Sequence, residues 1–288
     1  MSGVTRFLFE GLDIRGAVVR LTDCWQSLCA NRGYGPVEAA LLGEMSAVTA
    51  LIAAQLKQPG RLTFQLRSEG PVSLLVVDCD EQLRMKAVAR VQPGITAAPA
   101  SQLLGVDRGG QLMLSLDLPT SRQPYQSFVP LCGDSIAAIF EHYLIQSEQQ
   151  ETRLFAAADA ETATCLFLQK MPDADQKDPD GWARLSQLAA TVKPEELLRL
   201  DAAALLSRLF HEDIAHGAGV RVFETRAVSH HAPEDREKVA NMLLALGQDA
   251  VRDILAKQGK VSIQDDLCNR EYVFTAEEIA ALFSRSIH

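Results

Sequence analysis

The sequence predicts an α+β fold, and three features of the 288-residue chain lead to this prediction. Segments in which apolar and polar residues alternate, as in half-buried strands, recur between residues 61 and 170. Segments with helical apolar spacing lie among them. From residue 182 onward the pattern is mainly helical, and a β-hairpin returns only near the C-terminus. Elements distributed in this way favour a largely antiparallel sheet with separate helices.

The first part of the chain is predicted to contain three helices and a series of strands. Residues 23–30 and 36–57 have helical apolar spacing, and the second segment ends at the turn sequence Gln58-Pro59-Gly60. A third helix is predicted after Gly133, with Asp134 as its N-cap. The strands are predicted at residues 61–70, 72–79, 83–91, 112–118, 125–131, 152–158 and 163–170.

A polar segment with two prolines, residues 172–181, predicts a linker. Helices are predicted after it, one with Pro194 in its first turn and one capped by Asp201. The tail predicts helices at 236–246 and 249–258, each stopped by a glycine. A hairpin with its turn at 265–269 and a last helix started by a capping box follow.

Three domains are expected from this order of elements. Residues 1–172 form an N-terminal α+β domain with a mixed, mainly antiparallel sheet, and residues 173–226 form a helical linker region. Residues 227–288 form a small α+β C-terminal domain. A chain of 288 residues is long enough to bury a core in more than one domain.

Composition narrows the classes of function. Apolar residues make up 47% and charged residues 23% of the chain, as in ordinary globular proteins. A net charge of −9 argues against nucleic acid or an anionic membrane as a partner. We expect no signal peptide at the N-terminus and no segment of the length needed to span a bilayer, so a cytoplasmic location is predicted. Nucleotide-binding and hydrolase motifs are absent from the sequence, and we predict no enzymatic activity and no catalytic residue.

The six cysteines show no regular spacing. All except Cys268 are predicted to be reduced and mostly buried. Cys132 precedes a predicted helix, whose positive end could lower a thiol pKa. A nucleophilic Cys132 is therefore an alternative, but a buried cysteine at the end of a strand is the favoured interpretation.

Four positions near the C-terminus have the spacing of a small zinc module, in which Cys-x-Cys and Cys-x-x-Cys supply four thiolates. The first pair of positions holds Ala232 and Glu234, and the second holds Asp265 and Cys268. One thiolate, one methyl group and two carboxylates do not make a tetrahedral thiolate site, so we expect no metal and no other cofactor. A mixed zinc site of His231, Glu234, Asp265 and Cys268 is the alternative, because all three ligand types bind zinc.

Seven stretches, in order along nearly the whole chain, resemble the heat shock protein 33 family of redox-regulated 33 kDa chaperonins. They are RFLFEGLDIRGAVVRL (6–21), GPVSLLVVDCDEQLRMKAVARV (70–91), GDSIAAIFEHYLIQSEQQETRLF (133–155), LQKMP (168–172), RLFHE (208–212), REKVANMLLALG (236–247) and EYVF (271–274). The chain is identified as an atypical member of this family.

The resemblance implies a substrate-binding N-terminal domain, a helical linker and a C-terminal zinc domain. Members hold unfolding proteins without ATP and prevent their aggregation. In typical members, oxidation forms one disulfide within each cysteine pair and expels zinc, and the loss of structure that follows exposes apolar surface. Here Ala232, Glu234 and Asp265 stand at three ligand positions, so neither disulfide can form. The resemblance therefore predicts a holdase whose thiol–zinc switch is lost.

The expected partners are unfolded or aggregation-prone proteins, and a homodimer is left open. Activity is expected to be constitutive or triggered by heat. Two alternatives also stay open. One is a metal-binding protein that uses His230 or His231 with Glu234, Asp265 and Cys268. The other is an interaction protein that keeps the fold without chaperone activity.

Overall fold

A computed structural model describes residues 1–215 and 219–285 of the chain. The chain forms two compact units, Met1–His231 and Ala232–His288. The strands of the first unit are β1 (Gly3–Phe9), β2 (Ile14–Leu21), β3 (Arg61–Arg67), β4 (Val72–Cys79), β5 (Arg84–Val91), β6 (Gln111–Asp117), β7 (Tyr125–Pro130), β8 (Thr152–Ala158), β9 (Ala163–Lys170), β10 (Val220–Val222), β11 (Arg226–Ala227) and β12 (Ser229–His230). Its helices are α1 (Asp23–Cys29), α2 (Pro36–Gln55), α3 (Ala100–Leu103), α4 (Ile136–Glu148), α5 (Ala174–Lys177), α6 (Gly181–Ala189), α7 (Pro194–Arg199) and α8 (Ala202–Ala215), and a 3₁₀ turn spans Val106–Arg108.

The predicted α+β fold is confirmed, but the strands of the first unit are divided between two sheets. The first, here called sheet A, has the order β10-β1-β2-β9-β8, and β11 also pairs with β1. The second, sheet B, has the order β12-β5-β4-β3-β6-β7. Neighbouring strands are antiparallel in both sheets, apart from the short parallel pair of β12 with β5.

Helix α2 packs against strands of both sheets and forms the centre of the larger hydrophobic core. Gly43 lets this helix approach sheet A closely, because a Cβ there would lie 2.5 Å from the Cβ of Ala158. The expectation that no segment has the length needed to span a bilayer was wrong, because α2 has that length. By length and composition alone, Pro36–Gln55 could cross a bilayer, because an 18-residue stretch of it has a mean hydropathy of 1.6. However, 72% of that stretch is buried inside the protein. Its apolar character is explained by its place in the core.

A second hydrophobic core lies on the other face of sheet A, which helices α6 to α8 cover. The polar segment predicted as a linker contains the short helix α5. Two predicted helix starts in this region are confirmed. Pro194 occupies the first turn of α7, and the Asp201 carboxylate accepts the backbone N–H of Ala204 at 2.8 Å before α8.

The second unit contains helices α9 (Arg236–Leu246), α10 (Gln248–Gln258) and α11 (Ala276–Arg285) and the hairpin strands β13 (Val261–Asp265) and β14 (Arg270–Phe274). All of these elements were predicted. The capping box of α11 is present, because the Thr275 N–H donates to Glu278 Oε2 at 2.9 Å and the Glu278 N–H donates to Thr275 Oγ1 at 3.3 Å. Among the residues of this unit up to 285, eight buried side chains form a core, namely Val239, Leu243, Val251, Val261, Tyr272, Phe274, Ile279 and Phe283.

Several features of the first unit differ from the sequence prediction. The region 173–226, predicted to be helical, also supplies strand β10 and, with its last residue, the start of β11 to sheet A. Asp134 is not the N-cap of α4. The cap is Ser135, whose Oγ accepts the N–H of Ala138 at 3.1 Å, so the helix begins one residue later. Strands β1 and β2 were not predicted. Residues on both faces of β2 are buried, so its sequence lacks the alternation of a half-buried strand.

Candidate functional site

The four positions with zinc-module spacing lie on two neighbouring segments of the second unit. Ala232 and Glu234 precede α9, whereas Asp265 ends β13 and Cys268 lies in the hairpin turn. Polar contacts join the two segments. Glu234 Oε2 lies 3.1 Å from Arg270 Nη1, and the N–H of Asp235 donates to Tyr272 Oη at 3.0 Å. The loop is therefore held against the hairpin by an ion pair and a hydrogen bond between protein groups.

Arg236, the first residue of α9, joins this helix to the end of the hairpin that lies away from the turn. Its Nη2 donates to the carbonyl oxygen of Val273 at 2.9 Å and to Glu278 Oε1 at 2.7 Å. Its guanidinium carbon lies 4.3 Å above the centre of the Phe274 ring, which is a cation–π geometry. Each contact is modest alone because all are near the surface, but together they join α9, β14 and α11.

The Asp265 carboxylate closes the hairpin turn. Its Oδ1 accepts the backbone N–H of Cys268 at 3.0 Å. Asn269 completes the turn with a φ of 51°, a left-handed conformation that asparagine tolerates better than most residues. The aspartate therefore acts on the turn itself, as a side-chain acceptor for a backbone donor.

We expect Asp265→Ala to destabilise the hairpin by about 1 kcal/mol, because one backbone N–H in the turn loses its side-chain acceptor. Amide hydrogen exchange across residues 261–274 measures this loss as faster local opening. Gln264→Ala is the matched control, because Gln264 is exposed on the same strand. Equal exchange in the two variants would show that the Asp265 contact does not stabilise the turn.

The side chains at the four positions do not fit a tetrahedral thiolate site. Ala232 has no donor atom, Glu234 is paired with Arg270, and the Asp265 oxygen is engaged in the turn. Within residues 1–215 and 219–285, no three histidine, cysteine, aspartate or glutamate side chains form a group that could hold a metal ion. The absence of a metal stays a prediction, and the mixed site of His231, Glu234, Asp265 and Cys268 stays its alternative.

The two neighbouring histidines belong to the first unit. His230 is in β12, and the N–H of His231 donates to the carbonyl oxygen of Met85 in β5 at 3.1 Å. Burial, helped by the positive charge of Arg32, lowers the pKa of His230 below its usual value. His230 is therefore neutral near pH 7.

Most of the cysteines are in surroundings that suppress thiolate formation. Cys24, Cys79 and Cys165 are buried and Cys29 is half-buried. Burial raises the pKa of Cys24 to about 12 and that of Cys29 to about 11, and the same cause raises the pKa of Cys79 and Cys165. Because the thiolate is the reactive species, these four thiols react slowly with oxidants.

Cys132 differs from the prediction, because it is exposed. Strand β7 ends at Pro130 and the side chain of Leu131 is buried, so the next residue points outward before α4 begins. The sequence placed Cys132 correctly beside a strand end, but the direction of its side chain depends on the turn.

A second candidate site is the apolar face of sheet A beneath the helices. Seven buried side chains of the sheet meet the helices there, namely Phe7, Phe9, Ile14, Val18, Ala157, Leu166 and Leu168. On the helical side, Phe210 packs edge-on against Phe9 with ring centres 5.3 Å apart. Phe7 and Phe9 were not predicted from the sequence to form part of a surface, although their spacing of two is a strand signal.

Polar contacts hold the helices on this face at a few points. Arg184 of α6 pairs with Asp178 at 3.0 Å and with the buried Asp213 of α8 at 2.8 Å. The indole N–H of Trp182 donates to Glu151 at 2.8 Å, and Arg20 of β2 donates to the carbonyl oxygen of Leu197 at 3.3 Å. The contacts of Arg184 join the helices to one another, whereas those of Trp182 and Arg20 join them to sheet A and its adjoining loop. Separation of the helices from the sheet would break the second group and expose a continuous apolar surface.

Comparisons with known proteins agree on one family. The family model described as Hsp33 protein matches residues 2–275. The 33 kDa chaperonin of Chromobacterium violaceum is 40% identical over 283 residues, covering 98% of this chain and 94% of that protein. The 33 kDa chaperonin of Methylobacillus flagellatus is 39% identical over 284 residues, with coverage of 98% and 94%. The crystal structure of the 33 kDa chaperonin (heat shock protein 33 homolog) of Thermotoga maritima matches with a TM-score of 0.81 at 19% identity and covers 99% of both chains, which shows the shared fold.

Proposed function

The chain belongs to the Hsp33 family, and from this premise we propose that it is an ATP-independent holdase whose thiol–zinc switch is lost. It binds unfolding proteins and prevents their aggregation. The observation that carries the proposal is the apolar face of sheet A, which a few short helices cover. Once it is uncovered, an apolar surface of this kind binds unfolded chains, because contact with the client removes apolar area of both proteins from water.

In this proposal, three parts of the chain have separate roles. Residues 1–172 provide the client-binding domain, residues 173–226 form the linker region, whose helices α6 to α8 cover sheet A, and residues 227–288 form the former zinc domain. The partners are unfolded or aggregation-prone polypeptides in the cytoplasm. In this proposal the protein has no catalytic residue and needs no cofactor.

The loss of the switch is inferred from the residues at the four positions. Neither cysteine pair is complete, so neither disulfide of the family can form within the chain. The contacts of Glu234, Asp265 and Arg236 stabilise the second unit, so protein groups take the structural place of a metal in this proposal. The trigger is then local unfolding itself, since heat separates helices held mainly by one apolar interface.

Suppression of client aggregation by the reduced protein tests the proposal. The expected result is equal suppression of a heat-unfolded client with and without peroxide, because the cysteine pairs that would respond to oxidation are absent. Cys268→Ser should behave like the wild-type protein under both conditions. Cys132→Ser is the matched control, because Cys132 is an exposed thiol outside the second unit.

Two results would contradict the proposal in different ways. If no suppression is observed in any condition, including heating, the protein is not a holdase. A strong increase on adding peroxide that Cys268→Ser abolishes would show instead that a redox switch survives through an intermolecular disulfide. Light scattering and non-reducing electrophoresis of the same samples separate the two.

A further inference from the structure

A cavity of about 340 Å³ lies on sheet A beside Gln55, the last residue of α2. Successive residues of β1 point to opposite faces of the sheet, and Val4 belongs to the core around α2 whereas Phe7 belongs to the core beneath α6 to α8. Arg6 and Leu8 therefore lie on the face that α2 packs against, where the helix has ended and the sheet is partly uncovered. Ligand pockets range from roughly 300 to 1,000 Å³, so this volume suits a small molecule.

The lining of the cavity is largely apolar. It includes Leu8, Phe167, Met171 and Phe223. Phe167 is buried and the other three are half-buried, so a ligand would cover side chains that water now reaches. Phe223 is held against β1 because its N–H donates to the carbonyl oxygen of Arg6 at 2.9 Å. An apolar ligand body that fills the space would remove apolar area of both partners from water.

Three charged side chains also line the cavity, and two of them have a partner of opposite charge. Arg15 Nη2 lies 3.4 Å from Glu148 Oε2, and Asp13 Oδ1 lies 3.9 Å from Lys177 Nζ. The third is Arg6, which forms no ion pair with any residue of the described ranges 1–215 and 219–285. The cavity therefore has one uncompensated positive charge and favours a ligand with a single negative charge.

The Arg6 guanidinium is oriented by the ring of Phe223. Its carbon lies 5.6 Å from the ring centre, which is a cation–π distance. Arg221 approaches the same ring to 5.1 Å, but it lies 3.7 Å from a carboxylate oxygen of Glu10 and does not line the cavity. A guanidinium held by a ring loses little freedom on binding, and its planar fork matches the two oxygens of a carboxylate.

We propose that this cavity binds a small monocarboxylate with an apolar body, of about the size of phenylpropionate. The carboxylate accepts hydrogen bonds from the Arg6 guanidinium, and the body packs against Leu8, Met171 and Phe223. The Asp13 carboxylate in the lining disfavours ligands with two or more negative charges, such as phosphates. The inference goes beyond the proposed holdase function and does not rest on it.

Calorimetric titration of the full-length protein with phenylpropionate tests the proposal. The matched probe is phenylpropionamide, which has the same shape and no charge. We expect the acid to bind saturably, with one molecule per chain, and the amide to bind at least about tenfold more weakly, because it lacks the charge-assisted hydrogen bond. Equal affinity for the two probes, or saturation by neither up to about 10 mM, would overturn the proposal.

The decisive variant is Arg6→Gln, and its matched control is Arg221→Gln. Each removes one guanidinium from the ring of Phe223, but only Arg6 lines the cavity. Arg6→Gln should weaken binding of the acid about tenfold and leave binding of the amide unchanged, whereas Arg221→Gln should change neither by more than about twofold. Equal losses of acid binding in the two variants would show that surface charge in general, and not contact with Arg6, attracts the ligand, and the assignment of the cavity would fail.

Nuclear magnetic resonance of the wild-type protein locates the ligand. The methyl signal of Met171 should shift on addition of phenylpropionate, whereas that of Met242, an exposed methionine of the second unit, should not. Leu8→Trp, which places an indole in the cavity, should abolish binding. If the acid binds and the Met171 signal does not shift, the ligand is held elsewhere and the proposal is overturned. None of these measurements uses a client, so their failure leaves the holdase function standing, and failure of the aggregation assay leaves the cavity proposal standing.

Discussion

Replacement of Phe210 with alanine is expected to destabilise the packing of α8 on sheet A by about 3–5 kcal/mol, the usual cost of removing a buried phenyl ring from a core. Phe210 is fully buried and lies edge-on to Phe9 at 5.3 Å. Its backbone departs from helical values, with φ −127° and ψ 22°, so the ring is placed by a kink in α8. An alanine in that position cannot reach the sheet.

The loss should concentrate in the covering helices and leave the rest of the first unit folded. The larger core around α2 does not include Phe210, whereas the core beneath α6 to α8 does. Hydrogen exchange across residues 181–215 should therefore accelerate more than exchange in β3, β4 and β6. Under the proposed function, Phe210→Ala should also suppress client aggregation at a lower temperature than the wild-type protein does.

Ile214→Ala is the matched control for this prediction. Ile214 lies on the same helix and also loses an aliphatic group, but 38% of it is exposed. Its effect on exchange and on the onset of holding should be within about 1 kcal/mol. If Phe210→Ala loosens residues 181–215 and the onset temperature of holding stays the same, the face of sheet A is not the client-binding surface.

The sequence predicted an element best where one face of the element is buried and turn residues or glycine mark its ends. Strands β4, β8 and β9 and helix α9 were predicted at their observed limits, because turn residues or glycine bound them. Strand β2 was missed because burial on both of its faces removes the alternation, and short elements such as α3 contain too few residues to show a period. Strand β1 was missed although Phe7 and Phe9 alternate with more exposed residues. The division into two sheets depends on pairing between distant segments, which local patterns do not encode.

The candidate sites were predicted unevenly for the same reason. The four positions near the C-terminus follow from spacing alone, so the sequence identified them and the missing thiolates together. Their contacts could not be predicted, since the pairing of Glu234 with Arg270 joins residues on separate elements. The position of β7 at the end of sheet B could not be predicted either, because it depends on the strand order.

Replacement of Glu44 with glutamine is expected to raise the free energy of unfolding by up to about 3 kcal/mol above pH 7, with no gain below about pH 4.5. Glu44 lies in the middle of α2, and burial raises the pKa of its carboxyl group from 4.5 to about 7. Below pH 4.5 the carboxyl is protonated in both states. Between pH 4.5 and 7 the unfolded chain releases the proton first, so the wild-type protein loses stability as pH rises.

Denaturant unfolding at pH 5 and pH 8 measures this difference, and Glu38→Gln in the first turn of α2 is the control. Loss of the Glu38 charge near the helix N-terminus should cost about 0.5 kcal/mol at most. A Glu44→Gln gain of the same size at both pH values would mean that improved packing, and not removal of a half-buried charge, stabilises the variant. Because α2 packs on both sheets, a true gain at pH 8 should also raise the temperature at which the first unit as a whole unfolds, while the contacts between sheet A and α8 are unchanged. Comparison with Phe210→Ala then separates loosening of the covering helices from unfolding of the whole unit, and only the loosening should lower the temperature at which clients are held.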